Sequence, residues 1–268
     1  MHTRLNGIDL YYDDSGVADA PVLIFIHGFP FDRTMWTQQA EMLKGHCRIV
    51  ACDLRGHGQS MPGEEAFSME LFARDLLALM DTLGIEKAVL CALSMGGYIA
   101  LRAVENHAER FEGLVLCDTQ CGADTDEAKA NRDKAIAGIR ENGAEPFADA
   151  LLDKLFAPQT MQTHRERVEE VRAMILATSP LSLERSLRAM RDREETCSKL
   201  SDIAIPVLII VGEADRITPP ETARFLHEHM KHSRLEIIAD AGHLSNVENP
   251  AAFNAVLLRF LKDQCGVR

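Results

Sequence analysis

Val89-Leu90-Cys91-Ala92-Leu93-Ser94-Met95-Gly96-Gly97-Tyr98 joins an apolar run to a helical pattern through one serine. The run ends abruptly in small residues, and Tyr98-Ile99-Ala100-Leu101-Arg102-Ala103 continues with helical character. The reading is a strand, a tight turn with Ser94 at its apex, and a helix. Ala92 and Gly96 flank the serine at two residues on each side, where strand and helix approach too closely for larger side chains. A serine so placed projects its hydroxyl from a sheet edge, near the positive end of the following helix.

Outward from this turn, strands and helices alternate. Residues 4–13 read as a hairpin about Asn6-Gly7. Val22-Leu23-Ile24-Phe25-Ile26 is a continuous apolar run, the mark of a strand buried on both faces. It enters the sharp loop His27-Gly28-Phe29-Pro30, followed by a helix around 35–43. A short strand over 47–52 leads into Asp53-Leu54-Arg55-Gly56-His57-Gly58-Gln59-Ser60. An amphipathic helix spans 67–83 with Ser68 as its N-cap. After Ser94 and its helix comes a strand over 113–117. The alternation implies a parallel sheet. It lapses from about Gly122 to Leu200, where four helical patterns are punctuated by Gly143, Pro158 and Pro180. That segment carries 15 acids and 13 bases, so most of the net charge lies elsewhere. The rhythm resumes with a strand at 205–211, a helix after Pro219-Pro220, a strand over 235–239 and a helix over 250–261. The expected organisation is a core of residues 1–121 and 201–268 with a helical cap inserted at 122–200.

A chain of 268 residues is long enough for a sizeable core. A net charge of −12 argues against nucleic-acid and anionic-membrane partners, which favour basic patches. The seven cysteines form no CxxC pair and no metal-ligand rhythm. Cys47, Cys52, Cys91 and Cys117 fall in or beside apolar strands, so buried reduced thiols are expected there. With no apolar signal segment and no long apolar run, the expectation is a soluble cytoplasmic protein.

A serine hydroxyl is a poor nucleophile until a base takes its proton, and the base needs an acid to orient it. Of ten histidines, His243 in Asp240-Ala241-Gly242-His243-Leu244 follows the last strand and emerges at the same sheet edge as Ser94. Asp215, in Gly212-Glu213-Ala214-Asp215-Arg216-Ile217-Thr218-Pro219, emerges there too. Asp118 also ends a strand and is the alternative acid, while Glu213 suits the turn better than the triad. His27 reads as structural beside Gly28. The loop around His57 lacks the lysine and following helix of a phosphate cradle and reads as a turn. Only His229 and His232, of the three histidines near 230, share a helix face, which suits a solvated helix end better than a metal site. A developing oxyanion needs donors, and the backbone N–H groups of Met95 and Phe29 are the candidates.

Five motifs in order, His27-Gly28-Phe29-Pro30, Asp53 to Ser60, Ser94-Met95-Gly96-Gly97, Gly212-Glu213-Ala214-Asp215 and Gly242-His243, resemble the α/β-hydrolase superfamily across nearly the whole chain. The resemblance implies an α/β-hydrolase fold: a mostly parallel sheet flanked by helices, catalytic residues at its C-terminal edge, and a lid above. Ala92 departs from the glycine usual at its position, and alanine is small enough to serve. Ala189-Met190-Arg191-Asp192 and Asp215-Arg216-Ile217-Thr218-Pro219-Pro220 make the chain most similar to 3-oxoadipate enol-lactonase and its esterase relatives. A serine at position 94 argues against the haloalkane dehalogenase and epoxide hydrolase branches, whose resembling members use a carboxylate there.

The expected activity is cleavage of a carboxylic ester or lactone through an acyl-enzyme, without metal or cofactor. Ser94 is the nucleophile, His243 the base and Asp215 its orienting acid. The same triad could run C–C bond hydrolysis or perhydrolysis, and a ligand receptor on a hydrolase scaffold is the reading from a different class. In the cap, Arg185, Arg188 and Arg191 recur every three residues. Either an arginine, with Arg188 and Arg191 the candidates, faces inward to hold a substrate carboxylate, or all three form a solvated face with nearby acids. Phe147 and Met190 are apolar pocket candidates, as are Phe156, Met161 and Met174, although cap residues of this kind commonly hold the cap together.

Overall fold

The computed structural model of the chain describes residues 1–267. Among them, eight strands form one sheet: β1 (His2–Leu5), β2 (Ile8–Gly16), β3 (Val22–Ile26), β4 (Arg48–Cys52), β5 (Ala88–Leu93), β6 (Phe111–Cys117), β7 (Val207–Gly212) and β8 (Ser233–Ile238). Their spatial order is β1-β2-β4-β3-β5-β6-β7-β8. The β1–β2 hairpin turns at Asn6-Gly7 and β2 runs antiparallel to β4, whereas every pair from β4 to β8 is parallel.

The apolar strands are continuous because both faces are covered. Ile24, Ile26, Leu90, Ala92, Leu114, Leu116, Ile209 and Val211 belong to one core cluster. Their sequence neighbours, including Phe25, Val89, Cys91, Val115, Leu208 and Ile210, belong to the other. Helices cover the sheet in turn. On the second face lie α1 (Thr37–Leu43) and, at the chain's end, α11 (Pro250–Gln264), which contributes Phe253, Leu257 and Phe260. On the first face lie α2 (Met69–Thr82), capped by Ser68, whose hydroxyl accepts the Leu71 N–H at 3.1 Å, and α3 (Met95–His107). Each fully buried Leu or Phe here contributes about 1.5–3 kcal/mol of burial. Five free cysteines, Cys47, Cys52, Cys91, Cys117 and Cys265, are buried, and burial pushes the Cys52 thiol up to about 12.

Strands β6 and β7 are neighbours, with Cys117 opposite Ile210. The chain between them folds into α4 (Asp126–Asn142), α5 (Glu145–Leu155), α6 (Pro158–Thr163), α7 (Arg165–Ala177) and α8 (Pro180–Arg191). The insert thus has five helices rather than the expected four. The extra break falls at His164, whose backbone (φ −125°, ψ 52°) leaves the helical region without a glycine or proline to announce it. A disulfide between Cys121 and Cys197 joins the two ends of the insert, 76 residues apart in sequence; no local spacing in the sequence points to it. Beyond β7 follow α9 (Pro220–His229) and the short α10 (Ser245–Glu248). No described helix is long and apolar enough to cross a membrane.

Candidate active site

The parallel strands deliver their following loops to one sheet edge. Ser94 follows β5 directly, at φ 52° and ψ −114°. A non-glycine residue at positive φ is strained by roughly 1–3 kcal/mol and persists only where its surroundings fix it. The fixing is local. Ser94 N–H donates to Cys117 O at 2.9 Å, and Thr119 Oγ1 donates to Ser94 O at 2.8 Å. A Cβ on Gly96 would lie 2.6 Å from Ile26 O and 2.8 Å from His27 O, so only glycine lets α3 begin this close to β3. Ala92 packs opposite Ile26 with no exposure, so alanine fits where the motif more often has glycine.

Asp215 and His243 arrive from the loops after β7 and β8. Ser94 Oγ–H donates to His243 Nε2 at 2.9 Å, and His243 Nδ1–H donates to Asp215 Oδ2 at 2.8 Å. Thr218 Oγ1 also donates to Asp215 Oδ2, and the Ile217 and Thr218 N–H groups donate to Oδ1. With its other oxygen occupied, Asp215 accepts from Nδ1, which fixes the proton there and leaves Nε2 free to accept. All three residues are buried. Burial disfavours the His243 imidazolium, but the Asp215 charge and hydrogen bond outweigh it and raise the His243 pKa above the ordinary value. Burial likewise opposes ionisation of Asp215, and the His243 charge with the donors around it lowers its pKa on balance.

The alternative acid is placed differently. Asp118 accepts the Gly212 N–H at 2.8 Å and the Ser245 hydroxyl at 2.5 Å, with no hydrogen bond to His243. Burial, then the Asp215 charge, pushes its pKa up to about 8. Asp118 acts on His243 through its charge alone, behind the charge and hydrogen bond of Asp215. Glu213 is exposed.

Of the backbone donors, Met95 is the first residue of α3, so its N–H has no intrahelical acceptor. Phe29 lies in the loop after β3, beside a cis Phe29–Pro30 peptide, and lines the cavity with Ser94. His27 Nε2 accepts the Leu54 N–H at 3.0 Å and ties that loop to the one after β4. His57 sits in the glycine turn with Nε2 3.3 Å from Ser186 Oγ, and burial lowers its pKa to about 3. The described residues contain no group of three or more side chains able to hold a metal.

A cavity of about 350 Å³ opens between Ser94, His243 and the helical insert. Phe147 and Met190, both expected here, line it. Arg188 and Arg191 do not. On α8 the buried face is Leu183, Leu187 and Met190, and arginines spaced by three turn away from it. Arg188 pairs with Glu184 at 3.1 Å, and Arg191 pairs with Asp133 at 2.6 Å and Asp192 at 2.8 Å. Arg185 donates to Gly63 O and lies over the Phe67 ring. Phe156 is fully buried, and Met161 and Met174 pack against the core.

The cations that reach the cavity are Arg132 of α4, Lys154 of α5 and Arg216 beside Asp215, and among the described residues no carboxylate lines it. Arg132 is also paired with Asp124 and has Nη1 3.5 Å from Met190 Sδ. None of the three stands out in the sequence, Arg132 because α4 shows no apolar stripe to orient it. Its inward face is Ala128, Asn131, Arg132 and Ala135, legible only as a run spaced by three and four that is small and polar.

Comparison with known proteins agrees with this fold. A profile of the alpha/beta hydrolase fold matches residues 21–250. The chain belongs to that family. Among its relatives is 3-oxoadipate enol-lactonase 2 of Acinetobacter baylyi, 33% identical over 257 residues and covering 94% of each chain. Among solved structures, a thermophilic esterase from Thermogutta terrifontis with malate bound has a TM-score of 0.92 at 36% identity, over 98% of this chain and 96% of that one. The enol-lactonase of Burkholderia xenovorans LB400 also has a TM-score of 0.92, at 29% identity over 98% of this chain and 100% of that one.

Proposed function

We propose that this alpha/beta hydrolase cleaves a carboxylic ester or lactone by way of an acyl-enzyme on Ser94. The observation that carries the reading is the buried chain Ser94 Oγ–His243 Nε2–His243 Nδ1–Asp215 Oδ2, with links of 2.9 and 2.8 Å. Ser94 Oγ attacks the carbonyl carbon while His243 Nε2 takes its proton. The Phe29 and Met95 N–H groups receive the oxyanion, each such donor being worth about 3 kcal/mol. The carbonyl–oxygen bond to the leaving alkoxide breaks as His243 returns the proton to it. Water, deprotonated by the same imidazole, then releases the acid. The enol-lactonase and esterase relatives support this substrate class. The cationic lining and the malate held by the Thermogutta esterase favour a substrate that itself carries a carboxylate.

Two measurements test this reading. A fluorophosphonate should label the protein once, on the peptide containing Ser94; labelling elsewhere or none at all overturns it. Matched esters and lactones with and without a free carboxylate, followed by product identification, should give ester or lactone hydrolysis with lower KM for the anionic members. C–C cleavage or peracid formation as the main reaction would overturn the assignment of substrate class.

The raised pKa of His243 sets the pH profile. His243 serves as base only when neutral, so activity is present above its pKa and lost as pH falls through it. The acid limb of kcat/KM should therefore lie above the ordinary imidazole value of about 6.5. A limb below it would show that Asp215 does not stabilise the imidazolium in solution.

A further inference from the structure

Outside the Ser94–His243–Asp215 chain, one buried carboxylate touches the histidine loop and the helical insert together. Glu248 closes α10, five residues beyond His243, and is only 9% exposed. Its Oε1 accepts the Gly242 N–H at 2.6 Å, and its Oε2 accepts the Ala157 N–H at 2.9 Å, between α5 and α6. The buried Thr160 hydroxyl of α6 donates to the same carboxylate. Arg167 of α7 donates to the backbone oxygen of Glu248 at 2.8 Å.

The same end of α5 is bonded to the loops that carry base and acid. His243 N–H donates to Leu155 O at 2.8 Å, and Arg216 Nη2 donates to Asp153 O and, at 3.3 Å, to Phe156 O. Carbonyls at a helix C-terminus lack intrahelical donors, and the triad loops supply them here. The fit leaves no slack: a Cβ on Gly242 would lie 2.7 Å from both Ala157 N and Leu155 O. Leu151, Lys154 and Leu155 of this helix line the cavity. The element that roofs the substrate space is therefore fastened to the base through one carboxylate and one N–H.

We propose that Glu248 is a positioning residue for the hydrolysis, its carboxylate holding the Gly242 N–H and the Ala157 N–H so that the insert sets the placement of His243 against Ser94. The proposal rests on the serine-hydrolase reading above. The charged groups around His243 are Asp215 and Arg216 from the loop after β7, Asp118 at the end of β6, Lys154 at the cavity and Glu248 itself. The Glu248 charge adds to those favouring the imidazolium, so its removal moves the acid limb to lower pH. A purely structural contact would not move it.

Glu248→Gln tests this. An amide offers one acceptor and turns an NH₂ toward the other N–H, so one arm of the clamp fails. The expected result is a kcat lowered about tenfold to a hundredfold, as for a misplaced reacting group, with KM within about threefold and an acid limb displaced to lower pH. Glu248→Asp keeps the charge but loses reach: its kcat should fall with the limb unmoved, and it carries the test if the glutamine variant does not fold. Wild-type kcat in either variant overturns the proposal, as does a fall in Glu248→Gln kcat with the limb unmoved. Proton–nitrogen spectra of the His243 ring, recorded through a pH titration without substrate, keep the two readings apart. A wild type inert to every ester defeats the hydrolase reading while the Glu248→Gln ring titration still answers the question about Glu248. A ring titration unchanged in that variant defeats the Glu248 proposal alone.

Discussion

Ser94→Ala should lower kcat/KM for a reactive nitrophenyl ester by about 10⁴- to 10⁶-fold, and His243→Ala by a similar factor. The two effects should not add. Ser94 Oγ and His243 Nε2 share one proton across 2.9 Å, so removing either group ends nucleophilic attack by this route. The double variant should therefore be about as slow as each single one. Residual acceleration would come from the oxyanion donors and the cavity, which both substitutions leave in place. Asp215→Asn should be less severe, at about 10⁴-fold, because the imidazole remains but Nδ1 loses the carboxylate that fixes its tautomer. The fold should survive Ser94→Ala. Among the described residues the side chain of Ser94 hydrogen-bonds only to His243, and the positive-φ turn is held through the Ser94 backbone, by Cys117 and Thr119, and by the close approach at Gly96. The melting temperature should stay within about 2 °C, since each kcal/mol moves a domain of this size by roughly 2–4 °C. A Ser94→Ala or His243→Ala protein within tenfold of wild type would overturn the assignment.

The geometry behind this expectation was legible wherever chemistry and backbone agree locally. The serine lies between small residues because the turn demands them. Asp215 and His243 each end a loop after a parallel strand, and parallel strands bring such loops to one edge. Strand order places β5, β7 and β8 on one side of the sheet, so three residues far apart in sequence meet with no signal beyond their loop positions. Legibility falls off in the insert. The break at His164 has no punctuating residue, which merges α6 with α7 in a reading by pattern. The arginines of α8 are conspicuous by their spacing, yet Glu184, Asp133 and Asp192 hold two of them outside the cavity. Arg132 lies inside on a helix whose only buried apolar residues are Ile136 and Ile139. A helix whose cavity face is polar shows no hydrophobic stripe, and its orientation is set by tertiary packing. Glu248 is hidden for a related reason: a lone acid after a histidine gives no hint that two N–H groups from distant elements converge on it.

The disulfide was silent in the sequence. Strands β6 and β7 are parallel neighbours, so the chain leaves at one sheet edge and re-enters at the other, and strand pairing alone does not bring the ends of the insert together. Cys121 lies just beyond β6 and Cys197 at the return, with Cα atoms 4.9 Å apart. Nearby contacts fasten the same seam: Thr196 N–H donates to Cys121 O at 2.9 Å, and Arg193 bridges Gly122 O and Asp124 with its guanidinium 4.2 Å from the Tyr98 ring. Closing a loop of this length restricts the unfolded chain by about 4 kcal/mol in the chain-entropy account. The double variant Cys121→Ser/Cys197→Ser should therefore melt roughly 8–15 °C lower than the oxidised protein, and reductant should bring wild type down toward the same value. Thiol titration of denatured, unreduced protein should find five free thiols, rising to seven after reduction. Seven thiols without reductant, or a double variant that melts with the oxidised wild type, would show that the bond does not brace the protein in solution. The effect on catalysis should be smaller than that on stability. Ser94, Asp215 and His243 follow core strands, and the insert contacts that place His243 lie at the end of α5, whereas the bond fastens the two ends of the insert beside Arg193 and Tyr98. Loss of the bond should thus appear first in KM, as the wall formed by α4 and α8 loses its anchor near Tyr98, while kcat for a small ester stays within about threefold.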